Sequence, residues 1–311
     1  MISRNVLAAR SIFRRVGLLI ATIVLLALAP VLQAAENALT FGVFPRRNST
    51  ETQKAFTPVA DYLGKRLGRS VKLVTSKDFD SFWKAVLEQR FDIVYYNQYH
   101  YIRSARDYRV VGHIEESGSS TIAGVIYVRK DSGITDLTQL RGRTIIFGGG
   151  EDAMISYIAT TYMLQHAGLQ KTDYKSVFAI NPPNALVALI RQQADAAGGG
   201  NSIPDMPEVM SAINGVAFSS LAVSPPLLQL PIAVKRDMPT ELRNSIQTLL
   251  LDLKNSDQGW QILKTAGLTG VGKAEDKDYD PHRKMVSEVF GAAGSENKQF
   301  TRGAQPPASK K

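Results

Sequence analysis

Residues 144–170 read TIIFGGGEDAMISYIATTYMLQHAGLQ, and this stretch decides the fold. Its β-branched start (144–147) predicts a strand, the three glycines a tight turn, and residues 153–165 a helix. A strand that passes through a glycine turn into a helix directs backbone N–H groups at the space above the turn, where many α/β proteins hold an anion. Glu151 and Asp152 complicate that interpretation, because they put negative charge at the same helix start.

The same alternation of short apolar strands and amphipathic helices runs through most of the chain. It forms two blocks of similar size, residues 39–114 and 141–219, and then resumes with an apolar strand and further helices. Strands that alternate with helices of this length indicate βαβ units on a mainly parallel sheet. We therefore predict an α/β protein of two lobes, joined by more than one crossing, with a ligand in the cleft at the carboxyl ends of the strands.

The N-terminus has the three-part pattern of a secretory signal peptide. Four arginines in the first 15 residues precede an apolar run at 16–29, and small residues follow at Ala34 and Ala35. We predict a signal peptide at residues 1–34, with a retained anchor as the alternative, and a mature protein in the periplasm. The composition after Gly291 predicts a disordered tail over residues 291–311.

Composition limits the classes of partner. The chain contains no cysteine, so an exported product relies on its core instead of disulfides. The net charge of +9 is partly due to the arginines of the predicted signal peptide, and no basic stripe interleaved with aromatic residues is present. We therefore expect no nucleic-acid partner.

Several fragments, in their order and spacing, resemble the phosphate/phosphite/phosphonate-type periplasmic binding proteins of ABC importers. The resemblance covers residues 39–289. It is carried by GVFPRRNSTETQKAFTPVADYLGKRLG, FDIVYYNQYHYIRSA, IYVRKDSGITDLTQLRGRTIIFG, QQADAAGGGNS and AEDKDYDPHRKMV.

The resemblance implies a type II periplasmic binding protein fold that closes around a small ligand and presents it to an ABC permease. We expect lobe 1 at residues 37–122, lobe 2 at 123–222, and a return to lobe 1 with C-terminal helices at 223–290. A sensor that docks on a histidine kinase is an alternative, and an enzyme of the same fold is a third possibility.

The chain departs from the family pattern in its opening stretch. Phosphonate binders carry a Ser-Thr-Ser-Gly-like run after the second-lobe strand, whereas this chain has glycines and acids there and retains only Ser156. A carboxylate about 4 Å from a bound anion costs about 4 kcal/mol at an effective dielectric constant of 20. A helix N-terminus returns only about 0.3–1 kcal/mol. A phosphate, phosphite or phosphonate therefore stays the family expectation, and a neutral or partly apolar ligand is the main alternative.

The candidate ligand-binding residues follow predicted strand ends or the family pattern. For each of them a structural role as a helix-start acid, a turn or a core aromatic residue stays open. The candidates are Arg46, Tyr96, Asn97, Tyr127, Gly149, Gly150, Glu151, Asp152, Ser156, Asn201 and Ser202.

Catalytic and cofactor motifs find no support in the sequence. The four histidines lack metal-ligand spacing, and we find no nucleophile elbow, Walker loop or zinc-protease motif. The glycines at 148–150 lack the spacing of a dinucleotide fingerprint. We expect a binding protein without a cofactor, a metal ion or enzymatic activity.

Overall fold

The computed structural model of the chain describes residues 38–46, 49–213 and 215–291. The predicted signal peptide (1–34) lies outside these ranges, as does all but the first residue of the predicted tail (291–311). No helix in the described ranges has the length and apolar character needed to cross a bilayer.

Strands and helices alternate as the sequence predicts. The strands are β1 (Leu39–Val43), β2 (Val71–Thr75), β3 (Ile93–Tyr95), β4 (Tyr108–Glu115), β5 (Thr121–Ile122), β6 (Gly124–Arg129), β7 (Thr144–Gly148), β8 (Lys175–Ala179), β9 (Ala196–Gly200), β10 (Phe218–Val223), β11 (Leu227–Leu228), β12 (Pro231–Lys235) and β13 (Gly270–Gly272). The α-helices are α1 (Ser49–Leu67), α2 (Phe79–Leu87), α3 (Gln98–Ser104), α4 (Ala159–His166), α5 (Pro182–Ile190), α6 (Pro207–Met210), α7 (Thr240–Asp252), α8 (Asp257–Ala266) and α9 (Asp280–Phe290).

The first lobe is built on a six-stranded sheet with the order β13-β4-β12-β3-β1-β2. Strand β1 pairs in parallel with β2 and β3, and β12 joins β3 and β4 in antiparallel pairs. Helix α1 covers this sheet because its buried residues recur at three- and four-residue intervals, as at Phe56, Val59 and Leu63. Helix α2 begins at an N-cap, where the Asp78 carboxylate accepts a hydrogen bond from the Ser81 N–H.

The second lobe is built on a five-stranded sheet with the order β10-β6-β9-β7-β8. Strand β7 pairs in parallel with β8 and β9, whereas β6 pairs antiparallel with β9 and β10. The predicted two-lobed α/β architecture is confirmed, but each sheet is mixed and not mainly parallel. The reason is connectivity, since the strand next to one crossing and the strand next to the other are antiparallel within each lobe, as β4 and β12 are in the first and β6 and β10 in the second.

A two-stranded ribbon links the lobes. Strands β5 and β11 are antiparallel, with Leu227 opposite Ile122 and Leu228 opposite Thr121. Each strand belongs to one of the two crossings, so the ribbon is the segment about which the lobes can rotate. The residue bounds of the predicted lobes stay a prediction.

Buried polar side chains anchor this ribbon to neighbouring helices. The Leu228 carbonyl oxygen lies 3.1 Å from both Gln98 Nε2 and His282 Nε2. Next to it, the Tyr279 hydroxyl donates to the Gln229 carbonyl at 3.0 Å. The crossing is therefore tied to α3, to α9 and to the turn before α9.

The stretch 144–170 forms a strand, a turn and a helix, with one addition. Strand β7 and the glycine turn lead into a π-helical turn at Met154–Ile158, and only then into α4. The N–H groups of Tyr157 and Ile158 both donate to the Ala153 carbonyl oxygen at 3.0 Å. The helix thus begins with a wide turn at the cleft, a position at which π-helical turns are frequent in proteins.

Candidate functional site

A cleft of about 540 Å³ lies between the two sheets. Three groups of residues form its walls: the loop after β1 with the start of α1, the start of α3, and the strand ends and helix starts of the second lobe. In an α/β protein this is the expected location of a ligand. The residues that line it are Phe44, Pro45, Arg46, Glu51, Lys54, Ala55, Phe79, Asn97, Gln98, Ile122, Gly148, Gly149, Gly150, Asp152, Ala153, Met154, Ile155, Ser156, Ile180, Asn181, Pro182, Pro183, Gly200, Ser202, Ile203, Met206, Glu208, Leu230 and Thr265.

The glycine turn forms the second-lobe wall because its main chain is packed closely. A Cβ atom on Gly148 would lie 2.1 Å from Pro182 Cα, so β7 and the start of α5 are in backbone contact. Gly149 has a φ of +98°, a conformation that L side chains rarely adopt. All three glycines line the cleft and expose main chain to it.

The two acids at this turn have different environments. Asp152 lines the cleft, and its Oδ2 lies 3.1 Å from Nε2 of His100 on the first lobe. Glu151 is not among the lining residues, since its Oε1 accepts hydrogen bonds from Tyr157 Oη and Lys171 Nζ, both at 3.1 Å. One carboxylate of the pair therefore faces the ligand space.

A second hydrogen bond joins the lobes at this point. Asn97 Nδ2 donates to the Asp152 carbonyl oxygen at 3.2 Å, while Asn97 Oδ1 accepts from the His100 N–H at 3.0 Å as the N-cap of α3. The His100 ring is stacked on Trp83 with a centroid distance of 4.7 Å and is 1% exposed. The Asp152 carbonyl is thus held by an amide of the first lobe, and the Asp152 carboxylate by a buried imidazole of the same lobe.

Some side-chain donors in the cleft are engaged within the protein. The Ser156 hydroxyl donates to the Gly148 carbonyl oxygen. Helix α5 begins with Pro182 and Pro183, which have no N–H to offer, and the Asn181 side chain accepts from the Asn184 N–H at 3.0 Å. The donors that remain at the helix start are the N–H groups of the first turn after Ala153, which have no intrahelical partners.

Arg46 lines the first-lobe wall but is already paired with an acid. Its Nη1 donates to Glu116 Oε1 at 2.5 Å and to Tyr95 Oη at 3.2 Å. Burial alone would lower the pKa of Arg46, but the Glu116 carboxylate and the Tyr95 hydroxyl outweigh it and raise that pKa above its ordinary value. The guanidinium therefore stays charged, with its charge balanced by Glu116.

The structure brings seven of the eleven predicted residues to the cleft: Arg46, Asn97, Gly149, Gly150, Asp152, Ser156 and Ser202. The other four make structural contacts elsewhere. Tyr96 is fully buried with its Oη 3.0 Å from Ser104 Oγ, and the Tyr127 hydroxyl donates to the Gly200 carbonyl at 2.9 Å. Asn201 Oδ1 accepts from the Ala123 N–H at 3.1 Å, and Glu151 holds Lys171.

Several lining residues were not predicted. Asn181 and Pro182 follow β8 as Gly149 follows β7. The expectation that ligands bind at the carboxyl ends of strands would therefore have predicted them. Glu51 and Lys54 lie in the first turns of α1, directly after the β1 loop. Ile203, Met206 and Glu208 belong to a segment after β9 whose irregular pattern gave no such signal.

Within 38–46, 49–213 and 215–291, no three histidine, aspartate or glutamate side chains come together as a metal site. The cleft is lined by main chain, apolar side chains and a few charged side chains.

Two α/β lobes, a ribbon between them and a ligand-sized cleft at the strand ends define a two-lobed solute-binding protein of the type II periplasmic class. The sequence model of the family described as "ABC transporter, phosphonate, periplasmic substrate-binding protein" matches residues 41–279. The chain belongs to this family. Its function is therefore that of a substrate-binding protein of a transporter and not that of an enzyme.

Individual relatives agree with this assignment. The chain is 20% identical over 259 residues to a phosphonates-binding periplasmic protein of Escherichia coli K12, a match that covers 81% of this chain and 76% of that protein. PhnD1 from Prochlorococcus marinus in complex with methylphosphonate has a TM-score of 0.70 at 16% identity, over 82% of this chain and 99% of the other. XAC2383 from Xanthomonas citri bound to ATP also has a TM-score of 0.70 at 16% identity, with 81% and 97% covered. The family implies a small-molecule ligand, an ABC permease and a periplasmic location.

Proposed function

We propose that this chain is the receptor of an ABC importer and that its cleft captures an organic ligand with an apolar substituent, such as an organic phosphonate larger than methylphosphonate. One observation carries the proposal: a cleft of about 540 Å³ whose wall is mostly apolar and in which the Ser156 and Asn97 side-chain donors are engaged within the protein.

The apolar part of the wall supports a ligand with a hydrocarbon body. It comes from both lobes and consists of Phe44, Phe79, Ile122, Met154, Ile155, Ile180, Pro182, Pro183, Ile203, Met206 and Leu230. Burial of 100 Å² of apolar ligand surface contributes about 2.5 kcal/mol. Ile180 is 75% exposed at the cleft, so part of this surface is available to a ligand.

The polar part of the wall disfavours a small, highly charged oxyanion. Three carboxylates line the cleft (Glu51, Asp152 and Glu208), against two cations: Arg46, which is paired with Glu116, and Lys54. A carboxylate about 4 Å from an anion costs about 4 kcal/mol at an effective dielectric constant of 20. The first-turn N–H groups after Ala153 can bind one polar head, but an inorganic anion would gain no apolar contacts to offset the repulsion.

Lobe closure supplies the transport mechanism in this proposal. A ligand that touches both walls adds to the hydrogen bonds of Asp152 with Asn97 and His100, and so favours the closed form. Rotation about the β5–β11 ribbon opens the cleft again. An ABC permease that recognises the closed form receives the ligand.

The same proposal includes export through a signal peptide and an ABC permease as the protein partner. Residues 1–34 act as a signal peptide that is removed on export. An ABC permease is the partner, supported by family membership, and a histidine-kinase sensor is the alternative that an adjacent kinase gene would favour. We expect no nucleic-acid partner.

Calorimetry on the protein purified from periplasm tests the ligand class with inorganic phosphate, phosphite, methylphosphonate and phenylphosphonate. We expect phenylphosphonate to bind at least roughly tenfold more tightly than methylphosphonate, because the ring buries apolar surface. Equal or tighter binding of phosphate, phosphite or methylphosphonate would overturn the proposal. Mass spectrometry of ligand released from the native protein gives an independent answer.

A pair of variants ties the result to the cleft. Ile180→Ser removes an exposed apolar side chain that lines the cleft, and Leu87→Ser removes one that is 45% exposed outside it. We expect I180S to weaken phenylphosphonate binding severalfold and L87S to leave it unchanged. Equal affinities in the two variants would place the ligand elsewhere.

A further inference from the structure

Arg46 is placed to bind an anionic ligand, yet its charge is balanced by an acid of the same lobe. Among the described residues that line the cleft, it and Lys54 are the cations. Its side chain lines the cleft and is 32% exposed. A planar guanidinium is the group best suited to bidentate recognition of an oxyanion.

Glu116 holds this guanidinium on the side away from the ligand space. Its carboxylate is 14% exposed and is not among the residues that line the cleft. The pair lines a small second pocket together with Val43, Phe44 and Phe56. Removal of one partner from such a sheltered pair leaves the other charge uncompensated, and it then seeks a new counter-ion.

The position of Glu116 in the chain is significant. It directly follows the last residue of β4 and leads through a short turn, closed by the Glu116–Ser119 bridge, into the crossing strand β5. The backbone N–H of Glu116 donates to the Ser119 carbonyl at 3.2 Å. The carboxylate is therefore fixed by the main chain at the root of the ribbon, where a ligand does not replace it easily.

We propose that Glu116 is a specificity-determining residue: it neutralises Arg46 and thereby makes the cleft reject small oxyanions. This inference rests on the proposed function, in that it assumes a ligand site in the cleft. It predicts that loss of the Glu116 charge converts Arg46 into an oxyanion-binding group.

Calorimetry with inorganic phosphate and methylphosphonate tests this on Glu116→Gln. We expect both anions to bind at least roughly tenfold more tightly than to the unmodified protein, with a gain that shrinks at high salt. The double variant Glu116→Gln/Arg46→Met should lose the gain. Glu116→Asp, whose shorter carboxylate withdraws from Arg46, should give an intermediate gain and provides a second variant if E116Q folds poorly.

Glu115→Gln is the matched control. It removes the same charge from the preceding residue, whose carboxylate pairs with Lys254 at 3.7 Å and does not line the cleft. The inference is overturned if E116Q and E116D bind both anions no better than the unmodified protein, if E115Q gains as much, or if the double variant keeps the gain. Because these comparisons use two small anions across variants, their outcome is separate from whether phenylphosphonate binds the unmodified protein.

Discussion

The two walls of the cleft face the same ligand space with different chemistry. The second-lobe wall consists largely of main chain and apolar side chains, set by the close contact of Gly148 with Pro182. The first-lobe wall presents charged and amide side chains, and one of them, Arg46, is paired with Glu116 behind the wall. One wall is defined by backbone geometry, which leaves no room for a Cβ atom at Gly148, and the other by charge balance, which single substitutions can shift.

The largest effect is expected from a single methyl group on the second-lobe wall. In Gly148→Ala the new Cβ would meet the Pro182 backbone at 2.1 Å, where no flexible side chain can give way. We expect a loss of about 3 kcal/mol in the free energy of unfolding. Urea denaturation followed by circular dichroism measures it.

Gly150→Ala is the control for that change. Its Cβ would meet Asp152 Oδ1 at 2.8 Å, the end of a side chain that can rotate. The expected loss is below about 1 kcal/mol. A loss in G148A no greater than in G150A would contradict the view that backbone contact defines this wall.

The sequence predicted the second-lobe wall better than the first. A strand, three glycines and a helix start are local features, and local patterns place Gly149, Gly150 and Asp152 at the cleft. Local patterns could not give the orientation of neighbouring residues. Glu151 turns to Tyr157 and Lys171 because the π-helical turn carries Tyr157 next to it.

The first-lobe wall depends on contacts between residues far apart in the chain. Arg46 meets Glu116 across 70 positions, and Asn97 meets Asp152 across 55. No periodicity or motif encodes such pairs, so the sequence suggested Arg46 as an anion-binding residue without its counter-ion. Tyr96 is a similar case, since its alternation in the strand did not reveal that Ser104 would take its hydroxyl.

The free energy of unfolding should depend on pH through His282, which contacts the ribbon between the lobes. Burial lowers the pKa of His282 to about 4, from 6.5, while its Nε2 donates to the Leu228 carbonyl of the ribbon. The imidazole of the unfolded chain binds a proton more readily than the buried imidazole of the folded protein. The folded state therefore has its full stability above pH 6.5 and loses stability as the pH falls toward 4. We expect a loss of about 3 kcal/mol across that window, measured by urea denaturation at each pH.

His282→Gln should flatten this pH dependence, because an amide can donate to Leu228 without titrating. His166→Gln serves as the control, since that imidazole is 55% exposed on α4. A pH profile that is the same in H282Q as in the unmodified protein would assign the acid sensitivity to other groups.

The smallest changes in unfolding free energy are expected for the neighbouring acids Glu151 and Asp152, and the two should differ. Asp152→Ala removes the partner of a buried imidazole on the other lobe, and the expected loss of unfolding free energy is about 1 kcal/mol. Glu151→Ala removes a half-exposed ion pair within one lobe and should cost less than about 0.5 kcal/mol. Urea denaturation of both variants gives the comparison.

Small-angle X-ray scattering adds a measurement that depends on contact between the lobes. Without the Asp152 carboxylate the closed form loses a hydrogen bond that the open form never had, so ligand-free D152A should have a larger radius of gyration than the unmodified protein. E151A should not, because its contacts to Tyr157 and Lys171 move with one lobe. An equal radius in the two variants would mean that the His100–Asp152 contact does not bias closure.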